Sequence, residues 1–197
     1  MTDARRSSQF QVTGSARAPG RHDVPTGGSV EFRTIYEAES SYVWKTLRRI
    51  GVAERDLEDL LHDVFVVVFR RLHEYDPERP IRPWLFGIAF RVASDYRRLS
   101  RQTRELLEPA REVEDASPGA DERLAQARDR ALVVTALGAL DPDRRAVFVM
   151  HDLDGHSAPD IAAALSIPTN TVYSRLRVAR EEFVAAVQRL LLRRGQS

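Results

Sequence analysis

Large apolar residues recur at helical spacing along most of this chain. Leu57, Leu60, Leu61, Val64, Phe65, Val68 and Leu72 follow one another at steps of one, three or four, which lays one apolar stripe along a helix. The centre of the stripe, Phe65 to Phe69, has the β-propensity of a buried strand, but its periodic flanks predict a helix. An earlier helix is predicted by Phe32, Ile35, Tyr36, Val43, Leu47 and Ile50, stopped near Gly51. A later one opens at Pro83, a residue suited to a first turn, and carries Leu85, Ile88, Ala89, Val92, Tyr96 and Leu99. Pro77 and Pro80 make the stretch between them, Glu74 to Arg82, a loop.

The pattern lapses after residue 104 and resumes with a helix expected from Asp121 to Leu140. Asp141 and Pro142 restart the chain as N-cap and first helical residue of a helix through Val147, Phe148 and Met150, ending near Gly155. Ser157 and Asp160 form an S-x-x-D capping pattern that opens a short helix with Ile161, Ala162 and Leu165. Pro168 forbids its continuation. Thr169 or Asn170 is expected to cap the last helix, whose inward stripe is Val172, Leu176, Ala179, Phe183, Val187 and Leu190. The fold expected is all-α, with two small helical domains.

Charge sharpens the division. The 197 residues carry a net charge of only +1 although 30% of them are charged, and Lys45 is the single lysine. Residues 1–29 carry +2, residues 30–104 carry +2, residues 105–122 carry −6 and residues 123–197 carry +3. The acidic stretch also holds Pro109, Ser117, Pro118 and Gly119, the composition of a flexible linker. Residues 1–29 have few large apolar side chains and read as a disordered tail. Two domains are therefore expected, 30–104 and 123–197, with the linker at 105–122. The absence of cysteine excludes a disulfide framework, a thiolate zinc site and a cysteine nucleophile. The longest run of large apolar residues, Val64 to Phe69, is too short to cross a bilayer, and no secretory signal is evident. No membrane insertion and a cytoplasmic setting are expected.

A short helix, a turn and a longer helix form the helix-turn-helix plan, whose second helix enters the major groove. Opposite its inward stripe lie Tyr173, Ser174, Arg177 and Arg180, with Arg175 on the flank and Thr171 at the N-terminus, where a phosphate is favoured. A solvated helical hairpin with arginines outside would give the same pattern. In the first block Tyr75, Trp84, Phe86, Phe90 and Tyr96 interleave with Arg79, Arg82, Arg91, Arg97, Arg98, Arg101 and Arg104, as a single strand requires for stacking and phosphate contact. Trp84 and Phe90 are expected mostly in the core, which leaves Tyr75 as the better base contact. Glu54 and Asp56 suit a helix N-terminus. Asp59 and Asp63 share a helix face at i, i+4, and a basic protein partner fits there.

These residues resemble bacterial RNA polymerase sigma factors. Asp59-Leu60-Leu61-His62-Asp63-Val64-Phe65, then Pro80-Ile81-Arg82-Pro83-Trp84-Leu85, are similar to conserved region 2. Leu140-Asp141-Pro142-Asp143-Arg144-Arg145, then Asp160-Ile161-Ala162, Ile167-Pro168 and Thr171 to Leu176, are similar to region 4. Two such regions and one linker resemble the extracytoplasmic-function (ECF) class. The resemblance implies a promoter-specificity subunit with no catalytic activity, cofactor or metal. It implies that Asp59, His62 and Asp63 dock on the polymerase β′ clamp, and that region 4 meets the β flap. Tyr75, Arg79, Arg91, Ser94, Asp95 and Arg98 would read and melt the −10 element, with a non-template base flipped into the loop. Thr171, Tyr173, Ser174, Arg175, Arg177 and Arg180 would meet the −35 duplex, Arg175 and Arg180 nearer phosphates. The linker would thread the polymerase channel. An anti-sigma factor is an implied partner, and the domains would pack together when idle.

Some positions depart from the family pattern. His62 stands where Gln is usual, Ser166 where Gly is common, and Val178 where a basic residue is frequent. Two other functions compete. A stand-alone helix-turn-helix regulator would need neither the Tyr75 loop nor the acidic face. A metal-dependent hydrolase would use His151, Asp152, Asp154 and His156, for which turn and capping roles are the plainer explanation.

Overall fold

A computed structural model describes the backbone of residues 26–106 and 121–194, and the side chains of residues 31–100 and 129–194. Among the described residues there are seven α-helices and no strand. The first domain is α1 (Thr26–Arg49), α2 (Leu57–Arg71) and α3 (Ile81–Leu106). The second is α4 (Asp121–Gly138), α5 (Pro142–Phe148), α6 (Ala158–Leu165) and α7 (Thr169–Arg194). Helix α1 begins inside the expected tail, so residues 26–29 are helical rather than disordered. Residues 105–106 close α3 and residues 121–122 open α4, so helix takes both ends of the expected linker. The remaining linker, 107–120, and tail, 1–25, lie outside the described residues.

The apolar stripes meet in one continuous core to which both domains contribute. Leu57, Leu60, Val64, Phe65 and Val68 of α2 are buried with Val43 and Leu47 of α1, with Ile50 just after it, and with Leu85, Ile88 and Ala89 of α3. Phe65 to Phe69 is helical, as its flanks require. Val172, Leu176 and Ala179 of α7 are buried with Ala146, Val147 and Phe148 of α5 and with Ile161 of α6. Asp141 caps α5, its side chain accepting the Asp143 and Arg144 amides with Pro142 following. Ser157 caps α6, its Oγ accepting the Asp160 amide at 3.3 Å. Helix α7 starts at Thr169, so neither Thr169 nor Asn170 is its cap. The Pro168 carbonyl accepts the Thr171 and Val172 amides instead.

Ser166 ends α6 in the left-handed region, φ 56° and ψ 45°. A Cβ is strained there, by about 1 kcal/mol. Ser166→Gly is therefore expected to stabilise the second domain by about that amount, read from its denaturation midpoint. An unchanged or lower midpoint would mean the Ser166 hydroxyl outweighs the strain.

The two domains meet across a seam. Asp154, just beyond α5, has a side chain only 7% exposed. Its Oδ1 accepts Arg49 Nη1 of α1 at 2.7 Å, and its Oδ2 accepts the Tyr42 hydroxyl at 3.1 Å. Burial and the Asp154 carboxylate push the Tyr42 phenol well above its ordinary pKa. Farther along, Gly87 of α3 lies against the backbone of α6. A Cβ there would stand 2.5 Å from the Ala164 carbonyl oxygen. Gly51, at φ +94°, faces the guanidinium of the Arg145 side chain.

Candidate nucleic-acid interface

Helices α6 and α7, joined by Ser166 to Pro168, form the helix-turn-helix. Buried Val172, Leu176 and Ala179 fix the rotation of α7, so Tyr173, Ser174, Arg177 and Arg180 face solvent. Tyr173 is 57% exposed. Ser174 Oγ donates to the Thr171 carbonyl, and Thr171 is half-buried. The three arginines differ in how they are held. Arg175, on the flank, donates from Nη2 to Asp143 of α5 at 2.7 Å and is largely covered. Arg177 pairs with Glu181 one turn on, 2.9 Å away and exposed, an interaction that water and salt weaken easily. Arg180 is gripped at Nε and Nη2 by Asp152, at 2.8 and 2.7 Å. That pairing holds the Asp152 carboxyl below its usual range and raises the Arg180 guanidinium.

The first domain gathers the loop residues at the N-terminus of α3. Tyr75 donates its hydroxyl to the Arg79 carbonyl at 2.7 Å, and its ring lies 5.3 Å from that of Trp84. Beside them is a cavity of about 230 Å³, lined by Tyr75, Arg79, Pro83 and Trp84, and on its far side by Asp160, Ala163 and Ala164 of α6. Trp84 and Phe90 are half-buried, in keeping with a core role. Arg91 is exposed and leans to the second domain, donating to the Ala164 carbonyl at 3.2 Å. Ser94 is turned inward: its Oγ donates to the Phe90 carbonyl and accepts Arg97 Nη2 at 3.0 Å. Asp95 and Arg98 are exposed and pair with each other at 3.3 Å. The six expected residues thus divide into a loop group, Tyr75 and Arg79, and a group along α3.

Asp59, His62 and Asp63 are all exposed on α2, opposite its buried stripe, and none has an ion pair or hydrogen bond among the described residues. A row of unpaired acids on a rigid helix is a ready surface for a basic protein. The side chains weighed as a metal site go elsewhere. Asp154 holds the seam and Asp152 holds Arg180, while His156 Nε2 lies 3.4 Å from the Tyr42 hydroxyl. Among the described residues, no cluster of three or more acids, histidines or cysteines is placed to hold a metal ion.

Two family descriptions match this architecture in order. Sigma-70 region 2 matches residues 35–104, and Sigma-70 region 4 matches residues 130–183. The sigma factor CnrH of Cupriavidus metallidurans is 34% identical over 146 residues, covering 70% of this chain and 76% of CnrH. The chain belongs to the ECF RNA polymerase sigma factors. The sigma factor NccH of Alcaligenes xylosoxydans is 29% identical, covering 82% of this chain and 89% of that one. The ECF sigma factor SigE of Mycolicibacterium smegmatis is 31% identical, covering 81% of this chain and 67% of SigE. The solved structure of CnrH with the cytosolic domain of CnrY superposes with a TM-score of 0.60 at 27% identity, covering 83% of this chain and 91% of that one. RpoE of Bartonella quintana, solved with the anti-sigma factor NepR, shares the fold at a TM-score of 0.61 and 18% identity, over 80% and 97% of the two chains. This sigma factor directs promoter-specific transcription, and no helix among its described residues is long and apolar enough to cross a membrane.

Sequence reasoning missed the residues on which the seam and the arginines depend. Asp143 and Asp152 bind arginines 32 and 28 residues away, a pairing that no local spacing encodes. Gly87 did carry a signal, since glycine inside an amphipathic helix asks for a close backbone neighbour.

Proposed function

We propose that this sigma factor docks on core RNA polymerase through Asp59, His62 and Asp63, and reads the −10 element with Tyr75, Arg79, Arg91, Ser94, Asp95 and Arg98. Thr171, Tyr173, Ser174, Arg175, Arg177 and Arg180 take the −35 element. The observation that supports this most is the exposed face of α7, which carries Tyr173, Ser174 and Arg177 on a helix whose other side is locked in the core. Tyr75 and Trp84, ring beside ring at a cavity mouth, offer a stacking platform to an unpaired base. Ser94 also accepts a hydrogen bond from Arg97 and so helps to fix that side chain. The protein works in the cytoplasm without catalysis of its own, and region 4 meets the β flap. The acidic linker follows the polymerase channel. An anti-sigma protein holds it in reserve; CnrH, which shares the fold, was solved bound to a protein partner, the cytosolic domain of CnrY.

Arg177→Ala is expected to weaken promoter binding by about 1–3 kcal/mol and relax selection at one −35 position. Binding selection from a randomised −35 duplex, with holoenzyme, measures both. An equal loss on every sequence would reassign Arg177 to phosphate. Asp59→Arg reverses a charge on an exposed surface, so it is expected to cut core polymerase affinity while leaving the melting temperature unchanged. Retained co-purification with core would remove α2 from the docking surface.

A further inference from the structure

Of Arg175, Arg177 and Arg180, Arg180 is the one whose guanidinium is fixed from outside its own helix by two hydrogen bonds. Asp152 takes the Nε–Nη2 edge at 2.8 and 2.7 Å, a bidentate grip that sets the plane as well as the position of the group. Among the described residues no acceptor meets Nη1, and the Arg180 side chain remains 52% exposed. The end of the guanidinium carrying both Nη atoms is therefore left for a ligand.

Asp152 is itself held. It sits in a π-helical turn, Val149–Leu153, that follows α5. The turn closes with Asp154 N donating to the Val149 carbonyl five residues back and His156 N to the Met150 carbonyl six back, both wider than the four-residue span of an α-helix. Val149 and Met150 stay buried, while the extra residue lets Asp152 reach α7. His151 Nδ1 stands 2.7 Å from Asp152 Oδ1. Two acceptors would repel at that distance, so Nδ1 carries the proton and donates. A wide turn anchored by buried side chains, a histidine and a carboxylate all converge on one exposed arginine.

We propose that Asp152 is a positioning residue for −35 recognition, presenting the outer end of the Arg180 guanidinium to a DNA backbone phosphate. This rests on the reading of Arg180 as a −35 contact. A long flexible side chain loses rotamer freedom when it binds, and Asp152 has already removed most of that freedom in the unbound protein. Charge alone predicts the opposite result. Asp152 is an acid beside the DNA-facing surface, and removing an acid should strengthen DNA binding by long-range attraction. The sign of the effect therefore separates positioning from simple electrostatics.

The test uses the full chain assembled with core polymerase, on a promoter that the wild-type holoenzyme selects. Asp152→Asn keeps the shape and removes the bidentate grip. It is expected to lower affinity by about three- to tenfold, and Arg180→Ala by about tenfold. The two together should match Arg180→Ala alone. The slope of affinity against salt should fall by about one for Arg180→Ala and by part of that for Asp152→Asn. Asp152→Glu should restore part of the loss, with core binding unchanged throughout. If Asp152→Asn leaves affinity unchanged or raises it, the positioning role is overturned. The same holds if Asp152→Asn costs as much without Arg180 as with it. If Arg180→Ala itself changes neither affinity nor slope, the assignment of Arg180 to DNA fails first.

Discussion

Replacing Gly87 with alanine is expected to part the two domains and unfold neither. Glycine inside a helix costs roughly 1 kcal/mol relative to alanine, so the substitution strengthens α3 taken alone. The new Cβ would stand 2.5 Å from the Ala164 carbonyl oxygen and 3.5 Å from its Cα. These are backbone atoms of α6, a helix already pinned to α7 by buried Ile161. Neither side can yield by turning a side chain, so the contact itself gives way. Arg91 then loses its acceptor at Ala164, and the cavity beside Tyr75 and Trp84 loses its far wall. The native chain has no cysteine, so labels at Glu58→Cys and Gln188→Cys, both exposed positions, report the distance between domains cleanly. Separation should widen while the first domain melts no lower than wild type. An unchanged distance, or early melting of α3, would mean that the seam does not depend on this close approach.

Removing Arg49 should have the second large effect. Asp154 is nearly covered, and its carboxylate is balanced by one guanidinium at 2.7 Å and one phenol at 3.1 Å. Arg49→Ala strands that charge. Stranding a fully buried charge costs 3–5 kcal/mol, but Arg49 is 33% exposed and water can enter, so about 2–3 kcal/mol is expected here. The loss falls on the seam, shifting the balance between closed and open forms by about 30- to 150-fold. Arg49→Met with Asp154→Leu should recover most of it, because an apolar pair leaves no charge to strand. The same pair of labels measures both. If the double variant is as open as Arg49→Ala, packing rather than charge governs the seam.

Much of this architecture was legible in the chain because its causes are local. The stripe of α2 and the caps at Asp141 and Ser157 depend on neighbours within a turn or two, and they lie where the pattern put them. The outward face of α7 followed from its inward stripe by geometry alone. What was not legible depends on distant partners. Arg97, which holds Ser94 within α3, also reaches the Ile50 carbonyl 47 residues away, a partner that no local spacing encodes. Near the wide turn at Val149–Leu153, Asp152 and Asp154 bind partners on other helices, 28 and 105 residues away. Asp152 and Asp154, beside His151 and His156, have the side chains of a metal site. Arginines took them instead, as befits a chain in which nearly every cation is arginine.

The measurement that tests the central claim most directly is initiation by a reconstituted holoenzyme. Core polymerase with and without this sigma factor would transcribe fragmented genomic DNA, and every 5′ end would be mapped. Starts that require the sigma factor should share two upstream sequence blocks, one near −35 and one near −10, and Arg177→Ala should relax the first block while leaving the second. Starts with no shared upstream sequence, or the same starts from core polymerase alone, would contradict promoter direction by these two surfaces.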